Sequence, residues 1–196
     1  MAELLERAPV LRDSESVMRR AVLLASLGVG FLSGCGGGVA LSRERLEDLR
    51  AQGVAPDSVY LVDLPGYELA EQSMSVYKDE GFQTFYYSSE GRQVWFGVDR
   101  GAFGDDVCQE SPLHDAGPVT APILCEFDEV GWYRTNGPRH EYAITDAGHV
   151  IRISGLVADV DRVRLKEAMA GVRQVAGDGV PVTSSPGGPA AGPVDR

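Results

Sequence analysis

FQTFYYSSEGRQVWFGVD, residues 82–99, is the stretch on which the fold turns. Phe82 to Ser88 and Arg92 to Asp99 are rich in aromatic and β-branched residues, and Ser89-Glu90-Gly91 between them predicts a hairpin. On the first arm Phe82, Thr84 and Tyr86 share one face while Phe85 and Tyr87 take the other. On the second arm Val94, Phe96 and Val98 alternate with Trp95. Rings on both faces predict a central pair, with one side on the core and the other partly covered or exposed.

Outward from this hairpin, Leu64-Pro65-Gly66-Tyr67 reads as a turn into an extended segment over about 68–77. Downstream, three further strands are predicted at 129–134 (EVGWYR), 140–145 (HEYAIT) and 149–154 (HVIRIS). Asn136-Gly137-Pro138 and Asp146-Ala147-Gly148 supply the turns. Residues 159–175 predict a helix capped by Asp159 or Asp161, with Leu165, Ala168, Met169, Val172 and Val175 as one apolar stripe. That stripe suits one face of a sheet.

Ser42 to Gln52 predicts a short helix with Ser42 as N-cap, Leu46 and Leu49 three apart, and Gly53 as its stop. It could be a solvated stalk or lie against the domain. The order helix, antiparallel strands, helix gives an α+β fold: a sheet of about five to six strands packed against a C-terminal helix. The expected organisation is one domain over 60–176, preceded by a helix and linker over 42–59. Residues 177–196 contain five Gly and four Pro without periodicity and predict a disordered tail.

Across 196 residues, 18 Lys and Arg face 29 Asp and Glu, a net charge of -11. Such a balance excludes a nucleic acid as the expected partner, because phosphate binding runs on clustered cations. Hydrophobic residues at 43% exclude wholesale disorder.

Residues 18–35 read MRRAVLLASLGVGFLSGC. Arg19 and Arg20 make a basic start, and the 12-residue apolar run from Ala21 to Leu32 follows. As a helix it spans about 18 Å, well short of the roughly 30 Å hydrocarbon core, so it reads as a signal-peptide segment. Leu32-Ser33-Gly34-Cys35 matches the lipobox, and here the chain resembles a bacterial lipoprotein. The resemblance implies cleavage before Cys35, a diacylglycerol thioether on its sulfur, and a location at the outer face of the cell membrane. Residues 1–34 would then be the leader, a signal helix lost on maturation, and 35–41, with Gly36-Gly37-Gly38, a lipidated tether. Arg19-Arg20-Ala21-Val22-Leu23 also resembles a twin-arginine export signal, which leaves two export routes open. Residues 1–17 mix acids with Arg7 and Arg12, and so read either as a start-site extension ahead of Met18 or as a long n-region.

With Cys35 taken by lipid, Cys108 and Cys125 remain as a pair in an exported chain, where a disulfide is expected. It would close QESPLHDAGPVTAPIL, which carries Pro112, Pro118 and Pro122 and little periodicity. A metal site from Cys108, His114, Cys125 and His140 lacks the tight ligand steps of structural zinc, so no metal and no cofactor is expected. His114, His140 and His149 sit in a loop and beside turns and read as surface residues.

No nucleophile elbow, zincin helix, phosphate-binding loop or complete dinucleotide fingerprint is present. His140-Glu141 begins like a zincin, but Ile144 stands where a second His belongs. The acid pairs Asp105-Asp106, Asp128-Glu129 and Asp159-Val160-Asp161 read as solvated charge or helix capping. Catalysis is therefore not expected. The candidate ligand surface is aromatic: Phe85, Tyr87, Trp95 and Trp132, unless these rings are core.

From Leu64-Pro65-Gly66-Tyr67 through the aromatic hairpin, Gly131-Trp132-Tyr133, Asn136-Gly137 and Ile151-Arg152-Ile153-Ser154-Gly155 to the last helix, the order of patterns resembles a bacterial extracytoplasmic domain family of unknown function. That family occurs in secreted, lipid-anchored and anti-sigma-associated proteins, and the likeness spans about 64–175. The cysteine loop lies outside its pattern. The resemblance implies no catalytic residues to carry over, and the leading expectation is a lipid-anchored, non-catalytic binding or envelope-sensing domain with an envelope protein or hydrophobic ligand as partner. Two alternatives stand beside it: a carrier of a lipid-like ligand on the aromatic sheet, and a cell-wall hydrolase.

Overall fold

Phe82 faces Val98, Thr84 faces Phe96 and Tyr86 faces Val94 across an antiparallel pair of eight-residue strands, as the aromatic hairpin requires. The computed structural model describes residues 40–117 and 121–175. The expected signal segment, the expected lipidation position Cys35, most of the expected tether and the Gly/Pro-rich tail lie outside the described residues.

In chain order the elements are α1 (Arg43–Ala51), β1 (Tyr60–Leu61), β2 (Tyr67–Leu69), β3 (Ser75–Tyr77), β4 (Gly81–Ser88), β5 (Gln93–Arg100) and α2 (Asp105–Cys108). They continue with β6 (Leu124–Phe127), β7 (Trp132–Asn136), β8 (Arg139–Asp146), β9 (His149–Leu156), α3 (Arg162–Ala170) and β10 (Arg173–Gln174). The main sheet is antiparallel and runs β2-β4-β5-β9-β8-β7-β6, with β3 also bonded to β4. A separate ribbon joins β1 to β10. The fold is α+β.

The sheet has eight strands rather than five or six. Two local events account for the excess. The extended segment expected over 68–77 is broken by a 3-10 turn at Glu71–Ser73 and becomes β2 and β3, both on the same edge of β4. The end of the cysteine loop forms β6, which β7 recruits as an edge strand. The last helix is also shorter than expected. Asp161 caps it by accepting the Arg164 N–H, and it ends at Gly171, after which β10 pairs with β1. Val175 is buried as a result, but on this ribbon rather than on the helix: its N–H donates to the Val59 carbonyl at 2.8 Å.

One face of the sheet carries the principal core. Phe82, Tyr86 and Phe96 meet Ile151 and Ile153 there, beneath Leu46 and Leu49 of α1 and Leu165 and Met169 of α3. Each large apolar side chain withdrawn from water contributes about 1.5–3 kcal/mol, so α1 is held by its two leucines and lies against the domain. Ser42 caps it, accepting the Arg45 N–H at 3.1 Å. Among the described residues no helix is long and apolar enough to cross a membrane.

The other face is covered by the segment from Gly101 to Ile123, in so far as it is described. Phe103 and Cys108 pack on Ala143 and Val150, with Trp132 and Cys125 alongside.

Candidate functional site

The second sheet face starts from the register of two hairpins. Phe85 and Trp95 are direct partners across β4 and β5, and Trp95 in turn faces Ser154 of β9. Ser154 faces Glu141 of β8, and Glu141 faces Arg134 of β7. Alternation therefore lines up Phe85, Trp95, Glu141 and Arg134 on one side. Trp95 can lie flat because Gly97, two residues on, has no side chain: a Cβ there would fall 2.2 Å from the indole Cη2. The indole N–H donates to Gln83 at 3.1 Å.

Cys108 and Cys125 form a disulfide that ties the covering segment to the sheet edge at β6. Polar bonds fix the rest of the segment. Arg134 and Glu141 form an ion pair at 2.8 Å with both side chains at 0% exposure. Arg134 also donates to the Ser111 carbonyl, and Glu141 accepts the His114 N–H at 3.3 Å. Asn136 donates to the Ala121 carbonyl at 2.7 Å, and the Phe103 N–H donates to Thr145 Oγ1 at 2.7 Å. The Arg134 guanidinium stands over the Phe103 ring, 4.9 Å from its centroid. Burial pushes the Glu141 carboxyl up, and the Arg134 and Arg152 guanidinium groups beside it oppose that push. An ion pair this deep gains little net stability while intact, but leaving either charge alone would be costly.

This clasp sets His114 on Trp95. Their rings stack with centroids 3.9 Å apart and planes 4° from parallel, and Phe85 meets His114 edge-on at 6.1 Å. Burial lowers the His114 pKa, partly offset by Asp115, so the imidazole is neutral at pH 7. Beside the stack is a cleft of about 110 Å³. Phe85 and Leu156 form its apolar side, and Gln93, Asp115, Arg139 and Asp159 its polar side. Arg139 donates to Asp115 at 2.7 Å.

Of the four aromatic residues picked from sequence, Phe85 and Trp95 line the cleft, and Tyr87 stands beside Phe85 outside its lining. Phe85 and Tyr87 lie 6.4 Å apart along β4, with Trp95 next to them on β5. Trp132 does not join them: β9 and β8 separate it from β5, and it packs against Phe127 at 5.1 Å near the disulfide. His114 was hidden from sequence reasoning because nothing in its loop has a period, and only the disulfide and the Arg134–Glu141 pair place it. That pair was traceable, since Arg134 and Glu141 are equidistant from the Gly137-Pro138 turn. His140 and His149 are buried rather than on the surface, and His140 Nδ1 lies 3.0 Å from the Tyr133 hydroxyl.

The carboxylates flanking α3 work as ties. Arg162 holds Glu126 at 2.6 Å and Asp128 at 3.3 Å, with Lys166 on Asp128 at 3.1 Å. Burial pushes the Asp128 carboxyl up, yet the N–H groups of Val130 and Gly131, the Tyr142 hydroxyl and Lys166 hold it well below the usual range. Among the described residues no three His, Cys, Asp or Glu side chains converge as metal ligands. No family model, curated protein or solved structure matches the chain, so its functional reading rests on this cleft and on the residues that build it.

Proposed function

We propose that this chain is a lipid-anchored exported protein whose folded domain is a non-catalytic binding or sensing module. In this reading Cys35 carries the lipid and the Phe85–Trp95–His114 cleft receives the ligand. The observation that carries it is the disulfide-clasped segment that sets His114 on Trp95 and leaves an open, mixed-polarity cleft beside the stack. Binding sites commonly pair an apolar wall with a few fixed polar groups, and this cleft has both.

A disulfide between Cys108 and Cys125 fits an oxidising compartment outside the membrane. The bonds on Glu126, Asp128 and Asp115 favour binding over catalysis, because each carboxylate is committed to a cation. The alternative of a lipid carrier needs room between sheet and α3. Phe96, Ile153 and Leu165 are fully buried against one another there, so support runs to the open cleft instead.

One experiment addresses both halves of the proposal. The membrane-associated form is pulled down with its partners, and the N-terminal peptide of the mature chain is weighed by mass spectrometry. A diacylated Cys35 peptide and co-purification lost in a Phe85→Ala variant are expected. A cytosolic chain with its leader intact and Cys35 unmodified would overturn the location, and co-purification indifferent to Phe85 would overturn the site.

A further inference from the structure

We infer that the cleft beside the Trp95–His114 stack takes a small organic cation, an ammonium group carried on an apolar body; this rests on the binding reading above and names its ligand class. The argument is one of charge left over. One guanidinium lines the cleft, and it is already engaged: Arg139 on Asp115 at 2.7 Å. His114 adds no positive charge, because burial keeps its ring neutral. Asp159 lines the cleft, and among the described residues its carboxylate makes no ion pair. Its backbone is fixed, since the Tyr67 hydroxyl donates to the Asp159 carbonyl.

Among its lining side chains the cleft therefore presents one carboxylate without an ion-pair partner, together with the apolar surfaces of Phe85 and Leu156. An anion would find the lining cation, Arg139, taken by Asp115. A neutral apolar molecule would desolvate Asp159 without pairing it, which is unfavourable. A cation with methyl or methylene groups satisfies both sides: the charge meets Asp159, and the body lies on Phe85, whose ring face attracts positive charge. A volume of about 110 Å³ limits the ligand to a small head group rather than a polymer side.

The test compares choline with its uncharged isostere 3,3-dimethylbutan-1-ol, added to the full-length protein carrying Trp132→Phe, so that Trp95 is the only indole reporting. The expected result is a saturable change in Trp95 emission with choline and binding of the neutral isostere at least about 10-fold weaker. Asp159→Asn should erase that preference, and Phe85→Ala should weaken choline binding several-fold; both positions reach the cleft surface, so folding is checked by the unchanged far-ultraviolet spectrum. Equal binding of the two isosteres would overturn the cationic class and leave the cleft as a site. A preference retained in Asp159→Asn would overturn the role of that carboxylate. No response to either probe would overturn the inference, whereas loss of the binding reading itself would show in co-purification that ignores Phe85→Ala.

Discussion

His114 lies flat on Trp95, 3.9 Å from centroid to centroid, although the two are 19 positions apart in the chain and His114 lies inside the disulfide-closed loop. The contact joins the irregular segment that covers this sheet face to the central β4–β5 hairpin. Replacing His114 by Ala should cost about 0.5–1.5 kcal/mol, the usual worth of an aromatic pair beyond its buried area. Urea denaturation checks it, and an unchanged midpoint with unchanged Trp95 emission would show that the stack contributes nothing.

The Cys108–Cys125 bond should stabilise the fold by roughly 3 kcal/mol, since it closes a loop of 17-residue separation. Melting with and without a reductant measures this. Non-reducing peptide mapping of freshly purified protein should also recover both cysteines in one fragment pair, and two free thiol peptides would contradict the clasp.

Removing one member of the buried pair is expected to be severe. Glu141→Gln should lose about 3–5 kcal/mol, because Arg134 is then left charged at 0% exposure. A joint replacement, Arg134→Met with Glu141→Leu, should recover part of that loss. If the double variant is no more stable than the single ones, the ion pair is not the source of the penalty.

Gly97→Ala places a Cβ where the Trp95 ring lies, 2.2 Å from Cη2 and Cζ2. Overpacking of this kind costs about 1–3 kcal/mol, and here it should also lift the indole off the sheet. Near-ultraviolet circular dichroism would report the displacement, and an unaltered Trp signal would show that the ring has another place to go.

Acid should destabilise the domain in two stages. Burial lowers the pKa of His114 and of His140, so the unfolded chain binds more protons than the native one as pH falls through the ordinary histidine range near 6.5. Stability from these two groups is thus complete above that range and is lost below it. Asp128, held low by its hydrogen bonds, adds a second loss as pH falls below about 4. Thermal melts between pH 7.5 and 5 should shift downward, and less so in His140→Gln. A melting temperature flat across that interval would contradict the first stage.

The central hairpin was legible because residues 82–99 state their alternation twice, and each arm needs the other to bury Phe82, Tyr86 and Phe96. The caps at Ser42 and Asp161 were legible for the same local reason: an oxygen three residues ahead of an orphan N–H. What escaped were features decided by distant partners. The edge strand at Leu124–Phe127 exists only because β7 offers it hydrogen bonds, and residues 124–127 alone are too short to announce a strand. The 3-10 turn at Glu71–Ser73 is held by Ser73, whose hydroxyl bonds the Ala70 carbonyl at 2.6 Å and accepts the Phe85 N–H at 2.8 Å. In the candidate site, the rings could be read from alternation, whereas His114, Asp115 and Asp159 arrive from two other stretches of the chain.

The β1–β10 ribbon has a mechanical consequence. Tyr60 sits opposite Gln174 and Leu61 opposite Arg173, so the chain enters and leaves this ribbon at the same end. Tension applied between residues 59 and 175 would therefore peel its bonds apart one after another, beginning with the Val175 N–H to Val59 carbonyl, instead of shearing them together. A load on these two ends would give way first at a weak zipper, leaving the eight-stranded sheet unstrained until the ribbon had opened.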